Sequence, residues 1–267
     1  MYQTTYHRAS SLEDAAKLHA GGDDPKFVAG GMTLIPAMKT RLSAPSDLID
    51  LRHIDGMKGI RISGQQVEIG ALTTHADLAQ SKELEKACHS LHYMANHVGD
   101  PLVRHLGTMG GCVANNDPAQ DYPAALLALD ATIITTSREM KADDFFTGLF
   151  ETALEEGEIV KAVRFTAPDQ CGYEKFRNPA SRYAMTGVFV AKGAGGVRVA
   201  VTGAGDNGVY RETEMEEKLA ANFSADALEG VTVSPSNMMS DIHASAEYRA
   251  NLVVVMAKRA VAKAAGH

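Results

Sequence analysis

The sequence predicts an α+β protein with two domains. Stretches with a helical spacing of apolar residues alternate irregularly with short apolar stretches typical of strands. At about 100–200 residues per domain, a chain of 267 residues favours two domains. The string APDQCG at 167–172 contains the Pro, Asp and Gly of a connector. We therefore expect one domain over residues 1–168 and a second over residues 172–267.

The first elements are a short amphipathic helix and a strand that ends in two glycines. Residues 12–20 (LEDAAKLHA) have the spacing of a helix. After the turn GGDDPK, the apolar residues 27–29 predict a strand that runs directly into Gly30 and Gly31. Apolar residues that recur every four positions then predict a helix over residues 33–42.

The middle of the chain predicts a mixture of helices and strands around a second glycine-rich stretch, RHLGTMGGCVANNDP. Alternating apolar residues indicate strands, and a long amphipathic segment indicates one continuous helix before the glycines. In order, we expect strands at 48–51 and 66–69, a helix over 75–98, a helix followed by a strand over 123–136, and a strand at 158–166.

The last hundred residues predict an antiparallel meander followed by two helices. Three short strands, at 183–191, 197–203 and 208–211, are separated by glycine turns. A helix over 213–221 follows. A longer helix is predicted from about 240 to 264, with Ser240 and Asp241 as N-cap candidates.

Composition and charge exclude several classes of protein. A net charge of −7 and a pI near 5.8, without any run of Lys or Arg, argue against a nucleic-acid-binding protein, which needs a basic face. The longest apolar stretches are shorter than the ~20 residues that span a bilayer. The N-terminus MYQTTYHRASS has no signal-peptide core. We expect a cytoplasmic chain; association with the inner face of the membrane through an electron acceptor stays open.

Cysteine usage excludes a disulfide framework and an iron–sulfur cluster held by this chain alone. Cys88, Cys112 and Cys171 are far apart and form no CxxC pair. An iron–sulfur cluster normally takes four ligands, mostly thiolates, and only three cysteines are present. His89 and His92 are spaced to share a helical face, but no acidic residue completes a ligand set. We expect no metal site.

Two glycine pairs are the sharpest local features. In FVAGGMTL (27–34), a strand ends in two glycines and a helix begins at once, an arrangement that suits a phosphate. A plain strand-to-helix turn explains this segment more simply when it is taken alone. LGTMGGC (106–112) repeats the pair, and neither loop matches the G-x-G-x-x-G fingerprint or carries a Walker lysine. Two separated pairs suit a dinucleotide held between two subdomains, with the bare backbone of each turn giving donors to one diphosphate.

A series of motifs resembles the FAD-binding (medium) subunits of the molybdenum hydroxylases, of the carbon monoxide and xanthine dehydrogenase type. The matching pieces occur in the family's order and cover essentially the whole chain. They are AGGMTLIPAMKTRL (29–42), LIDLR (48–52), GALTTHADL (70–78), TMGGCVANNDPAQDYP (108–123), DFFTGLFETAL (144–154), YEKF with RYA (173–184) and SDIHASAEYR (240–249).

The resemblance implies a fold and a set of cofactor contacts. The first domain would have the FAD-binding fold of vanillyl-alcohol oxidase (PCMH type), with subdomains at about 1–57 and 58–168. The second would be a small three-stranded antiparallel sheet with helices. The implied FAD-binding residues are Ala29, Gly30, Gly31, Met32, Thr33 and Leu34 on one side, Thr74, Thr108, Gly110, Gly111 and Cys112 on the other, and Asp121, Val160, Lys175 and Tyr183 near the flavin and its polar tail.

The implied function is electron transfer within a complex. In the enzymes it resembles, a large molybdopterin-binding subunit hydroxylates the substrate, and a small [2Fe–2S] subunit passes electrons to FAD. The complex is expected to be a dimer of heterotrimers, and the external acceptor, a quinone or NAD, is open. Two alternatives remain: a self-contained flavin oxidase, and a scaffold that has lost FAD. Met32 and Cys112 support the scaffold, because the family commonly has better hydrogen-bonding side chains there.

Some of these residues also have simpler explanations. Asp117 and Asp121 lie in NNDPAQDYP, where an Asx-turn and a helix N-cap account for both. Lys175 suits a cation beside the flavin carbonyls, which would favour reduced flavin, or an ordinary surface lysine. His75 belongs to the THADL motif and is a candidate to approach the flavin. We expect no catalytic side chain, because the cofactor supplies the redox chemistry.

Overall fold

Three main sheets organise the chain, which the computed structural model describes over residues 1–266. Each takes its strands from one stretch of sequence, so the α+β class predicted from the sequence is confirmed. The first sheet is parallel and the other two are antiparallel.

The N-terminal stretch forms a three-stranded parallel sheet of order β1-β3-β2. Ser11 caps the first helix by accepting a hydrogen bond from the N–H of Asp14. The second helix is shorter than predicted, because the hydroxyl of Thr40 bonds to the carbonyls of Pro36 and Ala37 and Arg41 has a positive φ. The elements are β1 (Thr5–Arg8), α1 (Leu12–Ala20), β2 (Pro25–Val28), α2 (Leu34–Lys39) and β3 (Asp47–Asp50).

The middle stretch contains a five-stranded antiparallel sheet, a two-stranded ribbon and seven helices. The sheet has the order β4-β5-β10-β6-β7. Its strands are β4 (Ile60–Ser63), β5 (Gln66–Gly70), β6 (Thr132–Thr135), β7 (Glu139–Lys141) and β10 (Val160–Thr166), and the ribbon is β8 (Phe146–Gly148) with β9 (Glu151–Thr152). The helices are α3 (His75–Gln80), α4 (Lys82–Ala87), α5 (His89–Asn96), α6 (Pro101–Leu106), α7 (Met109–Asn115), α8 (Tyr122–Ala128) and α9 (Ala142–Phe145).

The single helix predicted over residues 75–98 is wrong: the segment forms α3, α4 and α5. The chain is extended at Ser81, whose hydroxyl caps α4 by accepting from the N–H of Leu84. A second break falls at Cys88, which has φ −154° and ψ 79°. Serine competes well for a cap position, and the apolar spacing continues across both breaks. Periodicity alone therefore did not reveal them.

The C-terminal sheet has four strands, in the order β11-β12-β13-β14, rather than the predicted three. The additional strand begins at Gln170, inside the segment predicted to be a connector. Gly172 lies within this strand because the last helix passes so close that a Cβ would fall 1.8 Å from the carbonyl oxygen of Ala260. The strands are β11 (Gln170–Arg177), β12 (Ala184–Gly193), β13 (Gly196–Thr202) and β14 (Tyr210–Arg211).

Two α-helices and two short 3-10 helices complete the C-terminal part. They are α10 (Thr213–Ala221), 3-10 turns at Ala225–Leu228 and Pro235–Asn237, and α11 (Ala246–Ala265). The prediction that α11 begins near residue 240 with Ser240 or Asp241 as its cap is wrong, since Ser245 caps it by accepting from the N–H of Tyr248. Asp241 instead accepts backbone hydrogen bonds from His243 and Ala244 and pairs with Arg249.

One hydrophobic core connects the middle stretch with the C-terminal sheet, and helix α8 lies at its centre. All seven residues of α8 are buried, and it packs against β12 and β13. Burial on every side explains why α8 is apolar throughout. Across residues 1–266, every helix is too short or too polar to cross a membrane.

Candidate FAD site

Both glycine pairs face one cavity of about 690 Å³. This volume lies within the ~300–1,000 Å³ typical of small-molecule and cofactor sites. A Cβ at Gly30 would fall 2.1 Å from the carbonyl oxygen of Leu106, so the first turn abuts the chain just before the second. Residues 180–183 close another part of the wall. The two turns therefore meet at a common cleft, as the hypothesis of one shared ligand requires.

The first turn offers backbone donors that the protein itself does not use. Strand β2 ends at Val28, the chain turns through Gly30 and Gly31, and α2 begins at Leu34. Gly31 has a φ of +69°, which favours glycine. Within residues 1–266, no acceptor bonds the N–H groups of the four turn residues Gly30, Gly31, Met32 and Thr33. Free N–H groups before a helix suit an anionic diphosphate.

The second turn differs from the bare loop expected from the sequence. Thr108 is the N-cap of α7, and its side chain accepts from the N–H of Gly111. The N–H groups of Met109 and Gly110 donate to the carbonyls of Thr73 and Ala71, and that of Cys112 donates to Thr108. The expectation of two equally bare turns is therefore wrong.

In this second turn, glycine is required for close packing. A Cβ at Gly110 would lie 2.4 Å from the Cβ of Ala71. The residue is therefore small because the turn packs tightly against the chain after β5. A short residue here also lets the cleft wall approach a ligand closely.

A neutral trio of side chains lines the cleft beside the second turn. His75 is 1% exposed, its Nδ1 is 3.1 Å from the hydroxyl of Tyr122, and its Nε2 is 3.6 Å from the Sγ of Cys112. Burial, with a smaller effect of the charge on Arg104, lowers the pKa of His75 to about 4. Burial also raises the pKa of the Cys112 thiol and of Tyr122. The three groups are uncharged at neutral pH and form no thiolate–imidazolium nucleophile.

Asp121 is held in the cleft wall by two buried partners. Its carboxylate lies 2.9 and 3.0 Å from the Nζ of Lys175 and accepts a short hydrogen bond from the hydroxyl of Tyr173. All three residues are buried. Asp121 is the residue before α8 but does not bond to the helix N–H groups, so the N-cap explanation for it is wrong. The Asx-turn expected at Asp117 is present, with Oδ1 accepting from the N–H of Ala119.

Two buried polar atoms in the cleft wall have no partner among the described residues. They are Nδ2 of Asn115 and Oε1 of Gln120, and both residues line the cleft. Buried polar groups are nearly always hydrogen-bonded, so an unused donor and an unused acceptor indicate a polar ligand. Together with the free N–H groups of the first turn, they fit FAD, which carries a diphosphate, hydroxyls and a flavin ring with carbonyls. The sequence analysis proposed neither Asn115 nor Gln120 as a cofactor contact.

Most of the expected contact residues line the cleft, and two do not. Those in the lining are Ala29, Gly30, Gly31, Met32, Thr33, Leu34, Thr108, Gly110, Gly111, Cys112, Asp121, Val160 and Tyr183, together with His75. Thr74 lies outside, where it forms a capping box with Asp77 at the start of α3. Lys175 also lies outside, behind Asp121.

Among residues 1–266, the histidines outside the cleft form no metal centre. The rings of His89 and His92 lie 6.3 Å apart. Within the described chain, no group of three or more His, Cys, Asp or Glu side chains is placed to hold a metal ion.

Comparison with known proteins decides the family. The family described as the FAD-binding domain in molybdopterin dehydrogenase matches residues 2–168. The chain belongs to this family. It is 34% identical to the carbon monoxide dehydrogenase medium chain of Afipia carboxidovorans, over 97% of this chain and 96% of that one. It is 32% identical to the nicotine 6-hydroxylase medium subunit of Paenarthrobacter nicotinovorans, over 97% and 96% of the two chains.

The fold agrees with this family over its full length. The carbon monoxide dehydrogenase structure from Oligotropha carboxidovorans superimposes with a TM-score of 0.88 at 32% identity, covering 99% of this chain and 98% of the other. The chain is therefore an FAD-binding oxidoreductase subunit of the molybdenum hydroxylase type, and the family resemblance found in its motifs is confirmed. The departures at Met32 and Cys112 leave the backbone N–H of Met32 free for a ligand.

Proposed function

We propose that the cleft between the two turns holds FAD and that the chain relays electrons from [2Fe–2S] clusters of a partner subunit to an external acceptor. Bound there, FAD would supply the redox chemistry of the relay, and residues of this chain would bind and orient it. The observation that carries the proposal is the row of four N–H groups without acceptors, from Gly30 to Thr33, in the wall of a 690 Å³ cleft. These donors suit the diphosphate of a dinucleotide.

The proposal divides the work among the cleft residues. Residues 29–34 hold the diphosphate, and residues 108–112 shape the opposite wall. Asn115 and Gln120 supply the hydrogen bonds that their unpartnered atoms lack. Asp121, fixed by Lys175 and Tyr173, orients the polar part of the cofactor, while Val160 and Tyr183 contact the ring. Lys175 acts through Asp121, because it does not itself line the cleft.

The same proposal assigns domains, partners and location. Residues 1–168, with subdomains at 1–57 and 58–168, bind FAD. Residues 172–267 form the second domain, whose strands β12 and β13 pack against α8. The relatives are medium subunits of carbon monoxide dehydrogenase and nicotine 6-hydroxylase. A small [2Fe–2S] subunit and a large molybdopterin subunit complete a heterotrimer, and two heterotrimers form the enzyme. We further propose that the complex lies in the cytoplasm.

The two alternatives from the sequence fit less well. A self-contained flavin oxidase needs a substrate domain, whereas this chain aligns end to end with relatives that are subunits. In a scaffold without FAD, the free N–H groups of the first turn and the unpartnered polar atoms of Asn115 and Gln120 would have no ligand to bond. Both features argue for a retained cofactor.

Titration of the purified chain with FAD and with FMN tests the proposal. We expect one FAD per chain, seen by flavin absorbance and fluorescence quenching. Binding of FMN should be at least about 100-fold weaker, because FMN lacks the second phosphate and the adenosine. A folded chain that binds no FAD at saturation would contradict the proposal and favour the scaffold.

A further inference from the structure

Two cysteines that lie 83 residues apart in the sequence meet in the structure. Cys88 occupies the break between α4 and α5, and Cys171 is the second residue of β11. Their sulfur atoms are 3.8 Å apart, and both residues are free thiols. Neither cysteine lines the FAD cleft, so the proposed function gives this pair no role.

Contacts between α5 and β11 hold the backbone around the two cysteines. The helix packs against the strand, and the hydroxyl of Ser90 donates to the carbonyl of Cys171 over 2.7 Å. A disulfide has a sulfur–sulfur distance of about 2.05 Å, so the two sulfurs need to approach by about 1.8 Å. Cys88 belongs to neither α4 nor α5. The approach therefore requires no bend within either helix.

The two thiols differ in reactivity because one donates a hydrogen bond to the other. With the Cys88 thiol as the donor, this hydrogen bond lowers the pKa of Cys171 and raises the pKa of Cys88. Burial adds to the increase at Cys88. Since the thiolate is the nucleophilic form, Cys171 is the sulfur that reacts first with an oxidant. Cys88 is then the neighbouring thiol that reacts with the oxidised sulfur.

The third cysteine has a different environment. The Sγ of Cys112 lies 3.6 Å from Nε2 of His75, and burial raises the pKa of the Cys112 thiol. An uncharged thiol beside a neutral imidazole is a poor nucleophile. Cys112 therefore serves as a control within the same chain.

We propose that Cys88 and Cys171 form a redox modification site, at which hydrogen peroxide converts the two thiols into a disulfide that joins α5 to β11. The Cys171 sulfur attacks one peroxide oxygen, the O–O bond breaks, and a sulfenic acid and water form. The Cys88 sulfur then attacks the Cys171 sulfur, the S–O bond breaks, and the oxygen leaves as water. Two thiols are oxidised, the peroxide is reduced to two waters, and the thiol hydrogens end in those waters.

The disulfide would fix the strand that supports one wall of the FAD cleft. Cys171, Tyr173 and Lys175 alternate along β11 and therefore lie on one side of the sheet. Tyr173 and Lys175 bond the carboxylate of Asp121. A cross-link between positions 83 residues apart also restricts the unfolded chain strongly. We therefore expect the oxidised chain to resist unfolding better than the reduced chain.

Peptide mapping of the full chain tests the site without any substitution and without FAD. After peroxide treatment and alkylation in denaturant, we expect peptides joined through Cys88 and Cys171, while Cys112 is alkylated. Dithiothreitol should restore alkylation of both joined cysteines. The oxidised chain should unfold at a urea concentration about 1 M higher than the reduced chain. Alkylation of Cys88 and Cys171 after peroxide treatment, or equal oxidation of Cys112, would overturn the proposal.

Two alanine variants test the order of the two steps. Alanine suits these positions because a buried free cysteine packs as a small apolar residue. C88A should stop at a sulfenic acid on Cys171, which dimedone traps, and C171A should give no dimedone adduct on Cys88. Peroxide should raise the urea midpoint of neither variant. Equal dimedone labelling in the two variants would contradict the proposed attack by Cys171. If a variant does not fold, mapping of the unmodified chain still decides whether the disulfide forms.

Discussion

The two glycine turns of the FAD cleft look alike in sequence and differ in structure. At Gly30–Gly31 the backbone N–H groups have no acceptor among the described residues. At Gly110–Gly111 they are bonded to the carbonyl of Ala71 and the hydroxyl of Thr108. Glycine therefore allows close packing at both turns, but it leaves donors available only at the first. One wall of the cleft therefore offers free donors to a ligand, whereas the other wall is stabilised by hydrogen bonds within the protein.

The wall of the second turn continues into Asp121, whose charge the protein also satisfies internally. Lys175 and Tyr173 bond it from behind the cleft. Changes on this wall should mainly alter the stability of the FAD-free chain, whereas changes at the first turn should mainly alter FAD affinity. The predictions that follow separate these two effects.

The largest expected effect is that of K175M. Removing one partner of a buried ion pair leaves the Asp121 carboxylate without its counter-charge, which costs about 3–5 kcal/mol of unfolding free energy. Urea denaturation of the FAD-free chain measures the loss. The control is K218M, which breaks an exposed pair with Glu214 and should cost less than about 1 kcal/mol. Equal losses in both variants would show that the wall does not depend on this pair.

The second effect is a pH dependence of stability that arises from His75. The unfolded chain protonates this residue near pH 6.5, while the folded chain does so only near pH 4. The stability from neutral His75 is therefore complete above pH 6.5 and falls by about 3 kcal/mol as the pH drops to 4. The midpoint of urea unfolding should depend less steeply on pH across this range in H75Q than in the unmodified chain. In H105Q, at an exposed position, the urea midpoint should keep the pH dependence of the unmodified chain. An unchanged pH dependence in H75Q would contradict the assignment of this effect to His75.

The smallest effect compares the two turns directly through matched threonines. Thr108 caps α7, so T108V should lower the stability of the FAD-free chain by about 1 kcal/mol. The Thr33 side chain makes no cap hydrogen bond, so T33V should leave that stability unchanged. It should weaken FAD binding about 10-fold, because it removes a hydroxyl that lines the cleft beside the free N–H groups. Thermal unfolding without FAD and an FAD titration give the two numbers for each variant. Equal changes of stability and of FAD affinity in T33V and T108V would contradict the proposed difference between the two walls.

Local patterns in the sequence predicted the first turn well and the second poorly. A strand, two glycines and a helix at 27–34 determine the geometry within eight residues. At the second turn, the N–H groups of Met109 and Gly110 donate to the carbonyls of Thr73 and Ala71. These acceptors lie about forty residues earlier in the chain, so no local pattern reveals the hydrogen bonds. The pairing of Asp121 with Lys175 spans 54 residues and could not be read from either segment.

The errors in the fold have a similar origin. The turn-forming residues at 168–172 led to the prediction of a connector where β11 begins. Gly172 is required there because α11 passes close to the strand, and not because the chain turns. Apolar spacing continued across Ser81 and Cys88 and hid the breaks between α3, α4 and α5. An element determined by its own residues, α1, was predicted with its observed bounds.

Amide hydrogen exchange by NMR, with and without FAD, tests the central difference between the two turns most directly. Without FAD, the amides of Gly30, Gly31, Met32 and Thr33 should exchange quickly, since they have no acceptor in the described chain, and FAD should slow them at least about 10-fold. The amides of Met109 to Cys112 are already bonded and should be protected in both states. Slowing at the second turn without slowing at the first would contradict the binding of the diphosphate by residues 30–33.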